Sequence, residues 1–225
     1  KEEWQTDVTK FVVTGASKRG WTSWLTAAGG DPRVSAIAPM VFDALRLPEQ
    51  MANQVRAFGK PSEMIRDYTA RGLIPIPETP AGQALWKMVD PWSYRAKVTV
   101  PKLILNGTND PYWPLDALNS YWDELPGDKY VLYVPNAGHN LEQVRDSGAK
   151  DRDRALGTLA AFARAQVFGE ALPKLTWKHA DADGAARLTL TSDKPLKAAR
   201  VWTADAATQD FRKAKWAAIE LKVDG

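Results

Sequence analysis

The sequence predicts an α/β domain built on a parallel sheet, with a long helical insertion and a β-rich tail. Three observations predict it. Four short apolar runs, "KFVVTG", "VSAIAPMV", "PKLILNG" and "KYVLYVP", are nearly continuous rather than alternating, as strands buried on both faces of a parallel sheet should be. Segments of helical length stand between and after them. From about Pro173 the texture changes to period-two alternation, the pattern of antiparallel strands.

Each element has its own grounds. Between the first two runs lies "SKRGWTSWLTAAGGDPR", a helix stopped by Gly29-Gly30. Between the third and fourth, "PLDALNSYWDELPGD" places Leu115, Leu118, Tyr121, Trp122 and Leu125 at helical spacing, with Pro126-Gly127 as the stop. After the fourth, "DRDRALGTLAAFARAQVFG" aligns Leu156, Leu159, Phe162 and Ala163 on one apolar face. Strand alternating with helix implies right-handed crossovers. The stretch from about 43 to 97 is too long for an ordinary connection. Its prolines ("GLIPIPETPAG") and two helix-like pieces, "PEQMANQVRAFG" and "AGQALWKMVD", read as a lid.

These readings place an α/β domain at 1–170 and a sandwich-like β domain at 171–225, where "ARLTLTS", "AARVWTA" and "WAAIELKV" are separated by turn residues. Lys1 is not an initiator, and "KEEWQTDVTK" has neither an apolar core nor a cleavage pattern. It reads as the end of a helix entering a strand. The chain is therefore expected to begin mid-domain, with a preceding segment or a separate chain completing the sheet. The tail, with too few strands to close a sandwich, is expected to be cut.

Composition narrows the function. At 225 residues, 44% hydrophobic and 25% charged, the chain can bury a sizeable core. The net charge of +3 is spread without a basic run interleaved with aromatics, which argues against nucleic acid as a partner. No apolar stretch approaches the roughly 20 residues of a membrane span. Cysteine is absent, which removes disulfides, thiolate metal sites and cysteine nucleophiles. With two distant histidines, a metal site would have only carboxylates to add, so neither metal nor cofactor is expected.

The chemistry is concentrated in three turns. "FVVTGASKRGW" runs from a strand through Ser17 into a helix, the sequence form of a nucleophile elbow, in which the next backbone N–H points at a developing oxyanion. That donor would be Lys18. The usual G-x-S-x-G is only half present: Gly15 is in place, but Arg19 occupies the second glycine position and Gly20 follows one later, so Arg19 must point away from the sheet or find room. "LILNGTNDPYW" sets Asp110 just past the third strand and "VLYVPNAGHNL" sets His139 just past the fourth, in the order Ser, Asp, His. The other histidine, His179, sits in the β-rich tail. His139 would act as general base and Asp110 would fix its tautomer. Asp43, at the end of the second strand, is the alternative acid, or else a cap on the lid. Arg19, Trp21, Tyr112 and Trp113 are candidate substrate-binding residues, whereas Trp24, three residues after Trp21, reads as core.

With these residues in place, "VTGASKRGWTSWLTAAGGDPRVSAIAPMVFD", "LILNGTNDPYWPLDAL", "VPNAGHNL" and "VWTADAATQDFRKAKW" resemble the PhoPQ-activated pathogenicity-related proteins, an α/β-hydrolase-like family. Glucuronoyl esterases, which share a related Ser-Arg/Lys-x-Gly elbow, are a more distant comparison. The resemblance implies a secreted or periplasmic serine hydrolase linked to virulence regulation and antimicrobial-peptide resistance. Eukaryotic relatives are linked to dipeptidyl-peptidase-like activity. Ser17, Asp110 and His139 match the triad positions. The substrate would be a small molecule or peptide, with peptidase and carboxylic-ester hydrolase both open and a non-enzymatic binding or signalling protein as the rival.

Overall fold

The computed structural model describes residues 7–145 and 147–223; the helix end expected in the first residues lies mostly outside them. Strands β1 (Phe11–Ala16), β2 (Val34–Met40), β3 (Lys102–Gly107) and β4 (Lys129–Val134) form one four-stranded parallel sheet in the order β1-β2-β3-β4. Helix α1 (Lys18–Ala28) crosses from β1 to β2. The insertion read from sequence as a lid follows β2 and holds α2 (Leu47–Phe58), α3 (Arg66–Ala70) and α4 (Pro80–Val89), the first and last at the two predicted pieces. After β4, a short ladder of β5 (Gln143–Val144) with β6 (Lys150–Asp151) leads into α5 (Asp153–Phe168).

The continuous apolar runs are explained by burial on two faces. Alternate residues of a strand point to opposite sides. Ile37 and Ile104 join Trp24 and Ala27 of α1 in a core shared with the lid. Ala36, Ala38, Leu103 and Leu105 point the other way, onto Ala155 and Phe162 of α5. The central strands β2 and β3 are buried, whereas β1 and β4 are the edges among the described residues, with Phe11 of β1 45% exposed. Trp24 is core, as expected.

Two helical expectations need correction. The helix expected after Pro114 is a single 3-10 turn, Ala117–Ser120. Tyr121 leaves helical geometry at φ −142°, and its hydroxyl donates to Asp43 Oδ1 at 2.5 Å, so a tertiary hydrogen bond overrides the local pattern. Leu118, Tyr121 and Leu125 are buried all the same. On α5 the buried face runs through Ala155, Phe162 and Ala165, while Leu156 is 53% exposed. The small alanines let the helix approach the sheet closely, which turns Leu156 outward.

The tail consists of two separate antiparallel ladders, β7 (Leu175–Ala182) with β8 (Ala185–Ser192) and β9 (Ala199–Thr203) with β10 (Ala217–Leu221). Asp183 and Gly184 both adopt positive φ in the β7–β8 turn, the geometry that two-residue hairpins favour. Leu188 and Leu190 of β8 are exposed, so these ladders do not form the packed layer of a sandwich among the described residues.

Gly20 is where α1 meets the end of β2. A Cβ there would lie 2.8 Å from the Met40 carbonyl oxygen and 3.0 Å from Phe42 Cβ, and a backbone oxygen cannot swing aside. Gly20→Ala is expected to cost about 1–3 kcal/mol through overpacking. The change should appear as a lower urea midpoint with an unchanged m-value.

Candidate active site

β1 ends at Ala16 and α1 begins at Lys18, so Ser17 alone makes the reversal. Its backbone sits at φ 56°, ψ −121°, a conformation costing a non-glycine residue roughly 1–3 kcal/mol. The surroundings hold it there: Ser17 N–H donates to the Met40 carbonyl at 2.9 Å, and its own carbonyl accepts from Trp21 N–H at 3.0 Å. A Cβ on Gly15 would fall 2.5 Å from Arg19 Cβ. The missing second glycine of the elbow is thus accommodated by keeping Gly15 bare and turning Arg19 outward, where it is exposed. The Lys18 N–H lies in the first turn of α1, where a helix has no internal acceptor for it.

The acid and base loops come together through close backbone contact. A Cβ on Gly107, the last residue of β3, would lie 2.3 Å from the Ala137 carbonyl oxygen and 2.5 Å from that of Gly138. Asn109 N–H donates to the same Ala137 carbonyl at 2.9 Å. From this junction Asp110, 6% exposed, divides its carboxylate: Oδ1 accepts from Tyr112 N–H at 2.7 Å, and Oδ2 lies 2.8 Å from His139 Nδ1. The Tyr112 ring stacks on the imidazole with centroids 3.9 Å apart. A carboxylate accepts only, so Nδ1 carries the proton, and in the neutral imidazole the lone pair is on Nε2. Nε2 is buried and has no hydrogen-bond partner among the described residues, Ser17 included. Such contacts are often long in a site without substrate.

Asp43 serves elsewhere. It is 2% exposed, and its carboxylate accepts from the Tyr121 and Tyr133 hydroxyls at 2.5 and 2.8 Å and from Asn106 Nδ2 at 2.8 Å. Burial pushes its pKa up to about 7 against the pull of these donors. The imidazole's carboxylate partner is Asp110, so the alternative acid is a buried tie between the lid root, β3, β4 and the segment holding Tyr121.

A cavity of about 150 Å³ opens at the elbow. Ser17, Lys18, Trp21, Tyr112 and Trp113 line it from the sheet side, and Met51, Ile65, Tyr68, Ile74 and Trp86 from the lid. Trp21 is fixed by donating to the Val89 carbonyl at 2.7 Å and by stacking on Phe42 at 5.1 Å. The indole N–H groups of Trp86 and Trp113 are buried without partners. Three of the four sequence-derived binding candidates therefore line the cavity, and Arg19 does not. The lid residues escaped sequence reasoning because the lid lacks a single periodicity. Gly107 escaped it because nothing local distinguishes a glycine pressed by a distant loop.

The family model of the PhoPQ-activated pathogenicity-related protein matches residues 1–212. The chain belongs to this family. Autocrine proliferation repressor protein A of Dictyostelium discoideum is 33% identical over 215 residues, covering 90% of this PhoPQ-related chain and 41% of the relative. The chain thus spans less than half the length of that protein. Among solved structures, the acylaminoacyl peptidase of Pyrococcus horikoshii superposes with a TM-score of 0.51 at 18% identity, over 73% of this chain and 25% of that one. Puromycin hydrolase gives 0.51 at 21% identity, over 76% and 24%. The fold of this PhoPQ-related chain is that of the α/β-hydrolases.

The Asp43 cluster makes a pH prediction. With a folded pKa near 7, above the usual 3.8, the native state binds the extra proton between those values. Stability from this group is full below about pH 4 and is lost as pH rises through 7. Urea unfolding at pH 4.5 and 7.5 should show the wild type losing ground to Asp43→Asn as pH rises. A constant difference between the two proteins would contradict the shift.

Proposed function

We propose that this chain carries the site of a serine hydrolase that cleaves an ester or amide bond through an acyl-enzyme on Ser17. The observation that carries the reading is His139: its Nδ1 is held by buried Asp110, and its Nε2 is buried and unpartnered. Polar atoms in such a setting are normally satisfied, and a basic nitrogen left free on the loop after β4 suits a general base for the elbow serine. In this reading Nε2 takes the Ser17 Oγ proton as Oγ bonds to the carbonyl carbon. The carbonyl π pair moves to oxygen, where the Lys18 N–H meets it. Collapse breaks the bond to the leaving group, which departs with the proton from His139. Water then repeats the sequence and frees Ser17. Asp110 stays ionised throughout.

The cavity supports a bulky apolar group on the substrate. Its wall is mostly aromatic and aliphatic, Lys18 is its cation and Asp67 its anion, and Arg19 faces away, a poor setting for a uronate of the glucuronoyl-esterase type. Acylaminoacyl peptidase, one of the structural neighbours, is named for peptide cleavage, in keeping with a peptide or acylamide substrate. On the family likeness we place its action in the periplasm or outside the cell, in the setting of virulence and antimicrobial-peptide resistance. A second reading, a signalling protein on a hydrolase fold, draws on the name of the Dictyostelium relative. Retention of full biological effect by Ser17→Ala would favour it.

A fluorophosphonate probe should label the wild type and neither Ser17→Ala nor His139→Ala. Asp110→Asn should label roughly 10⁴-fold more slowly because the imidazole tautomer is no longer fixed. Absence of labelling in a folded, complete protein would sink the hydrolase reading. For the cavity, kcat/KM for a phenylacetyl ester should exceed that for the acetyl ester by at least about tenfold. Met51→Trp, which fills the cavity, should remove that preference.

A further inference from the structure

The segment 209–216, between β9 and β10, does not lie free. Asn109, next to Asp110, points its Nδ2 at the carbonyls of Ala214 (2.7 Å), Phe211 (3.0 Å) and Arg212 (3.5 Å). An amide has two hydrogens, so the two shorter contacts take them. Asn136, three residues before His139, pairs with Trp216 in both directions: Nδ2 donates to its carbonyl and Oδ1 accepts from its N–H, each at 2.8 Å. Asn136 adopts φ 58°, a left-handed conformation that asparagine tolerates better than most residues. The two asparagines are themselves joined. Asn136 N–H donates to Thr108 Oγ1 at 2.9 Å, and that hydroxyl donates to Asn109 Oδ1 at 2.8 Å. The segment also reaches the lid: Arg56 of α2 donates to Gln209 Oε1 at 3.2 Å, and the Arg212 guanidinium lies 4.0 Å from the Phe58 ring centroid.

We propose that residues 209–216 form a strap that positions the acid and base loops of the site, with Asn109 and Asn136 as the positioning residues. The inference rests on the Ser17–His139–Asp110 reading for its effect on rate, though not for its effect on the imidazole. Each loop is tied to the other at Gly107 and Thr108, and both are tied to the strap from outside. The strap therefore restrains how Asp110 and His139 sit relative to each other without touching substrate. A small displacement of such groups is costly, since a misplacement of about 1 Å can slow a reaction roughly 100-fold.

The test compares wild type, Asn109→Ala, Asn136→Ala and, as a control in the separate β7–β8 hairpin, Thr191→Ala. Both asparagine variants should fold and should be phosphonylated by the fluorophosphonate, with loss of fluoride, about 10–100-fold more slowly. For an ester substrate the loss should fall on kcat rather than KM, with a displaced pH midpoint; Thr191→Ala should match wild type. Independently of labelling, the downfield proton resonance of His139 Nδ1–H should be sharp in wild type and broadened or lost in the asparagine variants. The chain has only two histidines, so the assignment is direct. If the wild type fails to label but the resonance responds, the hydrolase reading falls and the strap stands. If either asparagine variant folds with the wild-type rate, pH profile and resonance, the strap is overturned. Should one variant fail to fold, the other reads the same strap from the opposite loop.

Discussion

The site depends on a close approach between two pieces of backbone. The end of β3 and the loop after β4 press together at Gly107, where no side chain could fit beneath the Ala137 and Gly138 carbonyls. Adjacent parallel strands stand about 4.8 Å apart, so residues leaving neighbouring strand ends can meet if their loops do not splay. The junction prevents splaying, and Asp110 and His139 meet within hydrogen-bond distance. Ser17 follows β1, two strands from β3. Tyr112, stacked on the ring and held by the same carboxylate, fixes the orientation of the imidazole.

The elbow is a second case of backbone crowding. A generic hydrolase turn keeps two glycines so that the residues two before and two after the nucleophile can pass each other. Here only the earlier one is present. The later position carries Arg19, whose Cβ uses the space that Gly15 leaves, while Gly20 clears the end of β2. Lys18 and Arg19 are both exposed, and of the two Lys18 lines the cavity.

Much of this was legible in the sequence because it is local. Strand runs, the elbow, and the positions of Asp110 and His139 just past strand ends follow from short-range pattern, and the family match bears out the resemblance those residues carry. What could not be read depends on distant partners. Tyr121 breaks its predicted helix to reach Asp43, seventy-eight positions away in the chain. Leu156 faces outward because alanines, not leucines, set the approach of α5. Asp43 could not be told from an acid for the histidine until its three donors were known. The lid wall, assembled from residues between Met51 and Trp86, has no period to detect.

The strap is gripped through its main chain. Asn109 and Asn136 bind carbonyls and one N–H of residues 211–216, atoms that every residue type but proline presents alike. Side chains along the strap can therefore change with little effect on the grip, whereas the two asparagines cannot be exchanged for residues lacking a paired donor and acceptor. Length is constrained as strictly as identity is free. Inserting or deleting one residue between Phe211 and Trp216 would move the carbonyls off the amides, so the segment should tolerate point changes and resist changes of spacing.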